Sequence, residues 1–131
     1  MNLETPFSSE IERVATEIVD AAFRIHSKLG AGLLESVYKA LMIYELKKRG
    51  LSVQHEVVLP VVYDDVRLDI GYRIDLLVNG CVIVELKSVE KLLAVHEAQL
   101  LTYLKLSGVR LGFLINFNTK LIKDGIKRMA R

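Results

Sequence analysis

Cysteine, proline and long apolar runs are scarce in this chain of 131 residues. Cys81 is the only cysteine, which excludes an internal disulfide framework and a zinc site built from several thiolates. The strictly apolar stretches, such as 81–84 and 92–95, are far shorter than the roughly 20 residues that span a bilayer. The first ten residues contain two glutamates and lack the basic and apolar regions of a secretory signal. We therefore expect a cytoplasmic protein with no membrane partner.

The composition is that of a folded chain with balanced charge. Apolar residues make up 51% of the sequence, and 18 basic residues against 16 acidic ones give a net charge of +2. This length and composition predict one domain over residues 1–131. The segment 119–131 carries five cations and one anion, which is compatible with contact to phosphate or with a solvated terminal segment.

Apolar residues at three- and four-residue spacing predict helices in two parts of the chain. A Ser-x-x-Glu capping box at Ser9 and Glu12 opens the first helix. Gly50 and Gly108 follow two of the apolar patterns, as glycines commonly do at the end of a helix. The predicted helices are 9–29, 33–49 and 92–106.

Extended, β-branched segments follow the second helix. Asn79-Gly80 joins two of them, and this dipeptide favours the type I′ turn of a tight hairpin. Pro60 indicates an edge or bulged strand, and the last dozen residues fit a short strand or helix. The order α-α-β-β-β-β-α-β predicts an α/β domain. The predicted strands are 52–63, 66–72, 72–78, 81–89 and 109–117.

Charged residues interrupt the two apolar strands of the predicted hairpin. Glu85 and Lys87 share one face of their strand, and Arg73 and Asp75 share a face of the other. Burying such charges costs several kcal/mol each unless they are paired or bind a metal. The alternative is an edge strand whose polar face meets solvent. With residue 78 opposite residue 81, Asp75 and Glu85 fall on opposite faces, so their convergence requires a bulge or register break near Asp75.

Two carboxylates beside a lysine suit a hard, oxygen-seeking cation. Mg²⁺ or Mn²⁺ is expected because one or two carboxylates typically hold such an ion, while water and substrate phosphate fill its other positions. The main-chain carbonyl of Leu86 is a further candidate ligand. Lys87 is expected to orient the attacking water or to neutralise the developing charge of the phosphorane.

Asp75 followed by Glu85-Leu86-Lys87 resembles the signature of the PD-(D/E)XK nuclease superfamily, with Ile74 in the place of its proline. The segment GLLESVY at 32–38 is similar to the motif of the bacterial and archaeal GxxExxY proteins, and so are YRIDLLV, VELKSV, AQLLTYLKLSG and LGFLINF. The resemblance implies a restriction-endonuclease-like core with a mixed central sheet flanked by helices. It also implies that Glu35 completes the metal site and that Gln99 and Tyr103 line a substrate channel.

These residues favour a divalent-metal-dependent nuclease that hydrolyses DNA or RNA. Its catalytic residues would be Glu35, Asp75, Glu85 and Lys87, and Arg73 joins Gln99 and Tyr103 as a substrate contact. On the residues alone, Glu35 also fits an exposed helix acid paired with Lys39, and Tyr103 fits core packing. Two other functions stay open: an inactive nucleic-acid-binding module on the same fold, and a protein-interaction subunit acting as a homodimer.

Overall fold

The computed structural model describes residues 7–131 of the protein. The first six residues, which belong to the segment used for the expectation about a secretory signal, lie outside the described residues. No helix within residues 7–131 combines the length and the apolar character needed to cross a membrane. The helices are α1 (Ser9–Leu29), α2 (Glu35–Lys48) and α3 (Ala94–Ser107), with a 3₁₀ turn at Ile122–Gly125. The strands are β1 (Val53–Val58), β2 (Val61–Tyr63), β3 (Val66–Leu68), β4 (Arg73–Val78), β5 (Val82–Lys87), β6 (Leu111–Asn116) and β7 (Ile126–Ala130).

Five of the strands form a mixed sheet with helices on both faces. Its order is β1-β4-β5-β6-β7, and only the β5–β6 pair is parallel. Parallel neighbours need a crossover connection, and α3 supplies it. Apolar residues of α1 and α2 pack on one face of the sheet, and those of α3 pack on the other. The predicted α/β class with a mixed, helix-flanked sheet is confirmed.

The predicted elements agree with the observed ones except near their ends and along one extended run. The side chain of Ser8, not Ser9, caps α1 by accepting a hydrogen bond from the Ile11 N–H at 3.2 Å. The run 52–63 divides into β1 and β2 around Pro60, because proline lacks the N–H that a continuous ladder requires. The two short strands β2 and β3 pair only with each other, and the C-terminal segment adds β7 to the main sheet.

The turn between β4 and β5 determines which of their residues face each other. Asn79 and Gly80 both have positive φ angles, 50° and 65°, and the Val78 carbonyl accepts a hydrogen bond from the Cys81 N–H at 3.0 Å. This geometry is the predicted type I′ turn. The ladder nevertheless pairs Val78 with Val82, so Cys81 is an extra residue beside the turn. The predicted pairing of residue 78 with residue 81 is therefore wrong by one position.

This one-residue shift brings Asp75 opposite Glu85. The β4–β5 ladder runs from Val78 opposite Val82 to Leu76 opposite Val84, and the next step of the same register joins the two acids. The sequence had indicated opposite faces for them because the extra residue was not foreseen. An extra residue reverses the facing of every later side chain on its strand.

Asp75 also lies at a change of phase within β4. Ile74 packs with the α3 side of the core, whereas Leu76 packs with the α1 and α2 side, although a regular strand places residues two apart on one face. The ladder with β1 omits Glu56 and Asp75 while keeping one register on both sides of them. Glu56 has a φ of 52°. The predicted irregularity near Asp75 is present as a gap in the ladder and a change of facing, but the β1–β4 register does not break there, and the residue that shifts the β4–β5 register is Cys81.

Tyr38 joins the start of α2 to the end of β6. Its ring is fully buried and stacks on Phe117, with ring centroids 4.4 Å apart and an angle of 11° between the planes. Its hydroxyl donates a hydrogen bond to the Gly30 carbonyl at 2.6 Å and accepts one from the Leu33 N–H at 3.2 Å. These contacts hold the connection between α1 and α2 against the carboxyl ends of β5 and β6. A further hydrogen bond at this place runs from Ser88 Oγ to the Leu33 carbonyl at 2.7 Å.

We expect Tyr38→Phe to lower the free energy of unfolding by about 1–3 kcal/mol, because it leaves two part-buried backbone groups without their partner. Urea unfolding monitored by circular dichroism measures this change. Tyr44→Phe is the matched control on the same helix, because Tyr44 is exposed. Equal stability of the two variants would contradict the structural role of the hydroxyl.

Candidate active site

Asp75 and Glu85 are joined by two reciprocal hydrogen bonds between β4 and β5. The Asp75 N–H donates to Glu85 Oε2 at 2.8 Å, and the Leu86 N–H donates to Asp75 Oδ2 at 2.9 Å. Side-chain oxygens thus satisfy main-chain donors at the point where the regular ladder ends. The predicted convergence of these two acids is present in the structure.

Glu85 is the more buried of the two acids, with only 5% of its surface exposed. Burial, and then the charge of Asp75, raise the pKa of Glu85 to about 8. The hydrogen bond from Asp75 and the charges of Lys87 and Lys39 oppose this rise without cancelling it. Near neutral pH the pair therefore retains a proton in the absence of another cation.

A lysine from α2 contacts Asp75. Lys39 Nζ lies 3.2 Å from Asp75 Oδ1 and 2.5 Å from Glu56 Oε1. Burial alone would lower the pKa of Lys39, but the hydrogen bond to Glu56 and the charge of Asp75 outweigh burial and raise it. The ammonium therefore stays charged and bridges two carboxylates on neighbouring strands.

Lys87 ends β5, two residues beyond Glu85, and is half-buried. Its main-chain carbonyl accepts a hydrogen bond from the Phe117 N–H at 2.9 Å, which fixes the strand end to the loop after β6. The buried side chain of Asn116 joins the same two loops, because its Nδ2 donates to the Val89 carbonyl at 2.9 Å and its Oδ1 accepts from the Val89 N–H at 3.1 Å. The end of β5 and the residues that follow it are thus held to the end of β6.

Tyr103 of α3 lies beside the acidic pair. Burial, followed by the charges of Glu85 and Asp75, raises the pKa of Tyr103 to about 12, so its hydroxyl keeps its proton. The half-exposed ring of Tyr72 meets it edge-on, with centroids 6.1 Å apart. Gln99 is half-buried one turn earlier on α3, and Arg73 is exposed at the start of β4. Arg73 is exposed whereas Asp75 is half-buried, so the two residues do not share the same burial.

Glu35 is half-buried in the first turn of α2, one turn before Lys39. Within residues 7–131 Glu35 forms no ion pair. The spacing of four residues on the helix had suggested a Glu35–Lys39 pair, but Lys39 contacts Glu56 and Asp75. Over the same range, no group of three or more acidic, histidine or cysteine side chains is gathered to hold a metal ion. The role of Glu35 in metal binding stays a prediction.

The donor set at Asp75 and Glu85 nevertheless fits a hard divalent cation. Two carboxylates are sufficient protein ligands for Mg²⁺, which keeps several waters and contacts substrate oxygens. A divalent ion would also take the place of the proton that burial otherwise keeps on Glu85. The chemistry available here is metal-assisted hydrolysis, with Lys87 as a nearby positive charge.

Sequence reasoning missed Glu56 and assigned Lys39 only a partner on its own helix. Glu56 comes within reach of Asp75 only because β1 pairs with β4, which lies 15 or more residues away along the chain. Nothing in a single sequence specifies that pairing. A weak signal was available in Glu56 itself, which is a charged residue between apolar ones on an otherwise extended run.

Comparison with known families agrees with this geometry. A family model of the PD-(D/E)XK nuclease superfamily matches residues 12–129. No curated protein and no solved structure matches the chain. The matched range includes β4, β5, α2 and α3, which supply the acids, Lys87, Lys39 and Tyr103. Since the match covers most of the sequence, the chain belongs to the PD-(D/E)XK nuclease superfamily.

Proposed function

We propose that the protein is a nuclease that hydrolyses phosphodiester bonds of DNA or RNA with Mg²⁺ or Mn²⁺. Asp75 and Glu85 are its metal ligands, aided by the Leu86 carbonyl and by Glu35 from α2. The observation that carries the proposal is the Asp75–Glu85 pair: two carboxyl groups tied to each other's strands, one of them nearly inaccessible to solvent. The superfamily assignment agrees with it. Membership of the GxxExxY group within that superfamily stays a prediction.

A divalent ion at this pair would supply positive charge to a phosphate oxygen and lower the pKa of a water molecule. The chain's own residues do the rest. Asp75 and Glu85 would hold the ion, and their hydrogen bonds to main-chain N–H groups limit their own movement. Lys87 presents its ammonium to the negative charge that develops on the oxygens of the phosphorane-like transition state. Arg73, Gln99 and Tyr103 contact the substrate beside the scissile bond.

Metal-dependent cleavage of a panel of single- and double-stranded DNA and RNA tests this function. We expect cleavage with Mg²⁺ or Mn²⁺ and none with a chelator. Lys87→Ala should lower kcat by about a hundredfold, the usual effect of removing one group that stabilises transition-state charge. Lys91→Ala is the matched control, because Lys91 is an exposed lysine in the loop after β5. Equal rates for both variants would contradict the role of Lys87.

The same panel distinguishes the two alternative functions. A binding module without a competent site would retain the substrates uncut, and its affinity would fall steeply with salt concentration. A homodimeric interaction subunit would neither bind nor cut them, and light scattering would show twice the mass of one chain. Both alternatives stay predictions from the sequence.

A further inference from the structure

Lys39 is the cation that already contacts the acidic pair. It comes from α2, on the opposite side of the sheet from α3, and its ammonium lies 3.2 Å from Asp75 Oδ1. Only 21% of its side chain and 15% of that of Asp75 are exposed, so water screens the attraction incompletely. An ammonium in this position competes with any other cation for the same carboxylate oxygen.

Glu56 is the second carboxylate that contacts the Lys39 ammonium. It lies at the gap in the β1–β4 ladder and adopts a φ of 52°, a left-handed conformation that a glutamate within a strand rarely adopts. Its Oε1 is 2.5 Å from Lys39 Nζ, closer than the oxygen of Asp75. Strained backbone of this kind persists where surrounding contacts impose it, and such positions cluster at functional sites.

We propose that Lys39 is a built-in competitor of the divalent ion, and that Glu56 is the acceptor to which its ammonium withdraws when the ion binds Asp75. In the metal-free protein the ammonium neutralises Asp75. When the ion arrives, Lys39 gives up Asp75 and keeps Glu56, so no unpaired charge is left behind. Lys39 is a positioning residue in this scheme, and it sets the metal concentration at which the site is filled. The inference rests on the proposed metal site at Asp75 and Glu85.

Three consequences follow for metal affinity. Lys39→Met removes the competing charge, so we expect it to bind Mn²⁺ at least about tenfold more tightly than the wild type. Glu56→Gln removes the negative charge that draws the ammonium away from Asp75, so we expect it to bind Mn²⁺ several-fold more weakly. In the Lys39→Met background, Glu56→Gln should have little further effect, because Glu56 acts through Lys39.

Calorimetric titration of the whole chain with Mn²⁺ measures these affinities without any substrate. Lys47→Met is the matched control, because Lys47 is an exposed lysine on the same helix. Circular dichroism of each variant establishes that it is folded. Unchanged or weaker Mn²⁺ binding by Lys39→Met would overturn the inference. Equal weakening by Glu56→Gln in both backgrounds would overturn the part assigned to Glu56.

Failure of the inference and failure of the metal site give different results. If Asp75→Asn abolishes Mn²⁺ uptake and Lys39→Met leaves it at the wild-type affinity, the metal site stands and the competition is absent. If Mn²⁺ binds equally well to the wild type and to Asp75→Asn, the proposed metal site is wrong and the inference falls with it.

Discussion

Asp75→Asn and Glu85→Gln should each lower metal-dependent cleavage by at least about a hundredfold. Loss of a residue that merely supports a metal ligand typically costs 10- to 100-fold in metal affinity or activity, and loss of a ligand costs at least as much. Both substitutions keep an oxygen that can accept the existing hydrogen bond from a main-chain N–H. In Asp75→Asn the donor is the Leu86 N–H, and in Glu85→Gln it is the N–H of residue 75. The loss should therefore come from the missing charge and not from unfolding.

Single-turnover cleavage at several Mn²⁺ concentrations measures this effect and separates weak metal binding from slow chemistry. Asp69→Asn is the control, because Asp69 is an exposed acid paired with Arg67, outside the site. We expect it to cleave at the wild-type rate. If Asp75→Asn and Glu85→Gln were both as active as Asp69→Asn, neither carboxylate would be needed and the assignment of the site would be wrong.

The stability of the metal-free protein should fall as pH rises from about 4.5 to about 8. In the unfolded chain Glu85 ionises near its ordinary pKa of 4.5, whereas in the folded protein burial and the charge of Asp75 raise that pKa to about 8. Between these pH values the folded state holds a proton that the unfolded state has released, so every increase in pH lowers the free energy of unfolding. Stability is greatest below pH 4.5 with respect to this group, and its decline ends above pH 8.

The total change is on the order of 5 kcal/mol, because the pKa rises from 4.5 to about 8 and one unit of pKa difference corresponds to about 1.4 kcal/mol. Denaturant unfolding at pH 5, 6.5 and 8.5 measures it. Other groups titrate as well, so the contribution of Glu85 is the difference between the wild type and Glu85→Gln, whose amide does not ionise. We expect the variant to become the more stable protein at pH 8.5. Parallel stability curves for the two would show that Glu85 ionises normally in the folded state.

Local features of the fold were predictable from the sequence because local physics determines them. The apolar spacing of residues 9–29 and the Asn79-Gly80 dipeptide specify a helix and a turn through interactions within a few residues. The charged positions at Asp75, Glu85 and Lys87 were evident for a similar reason, since they interrupt apolar strands. The α/β class followed from the order of those elements, whereas the mixed sheet flanked by helices was implied by the resemblance to the nuclease superfamily.

The details of the site depended on contacts that no local pattern specifies. The extra residue Cys81 shifts the β4–β5 register by one position and reverses the relative facing of the two acids. The pairing of β1 with β4, which brings Glu56 to Lys39 and Asp75, is a long-range choice among several possible strand orders.

The release of a proton on metal binding tests the Asp75–Glu85 centre most directly. At pH 7 a carboxyl group with a pKa of about 8 is mainly protonated, so an ion that takes Glu85 as a ligand must displace that proton. Titration with Mn²⁺ in buffers of different ionisation enthalpy counts the protons released. We predict about one proton per ion for the wild type and none for Glu85→Gln, whose affinity should also be weaker. Mn²⁺ uptake with no proton release by the wild type, or with the same release by Glu85→Gln, would contradict the account.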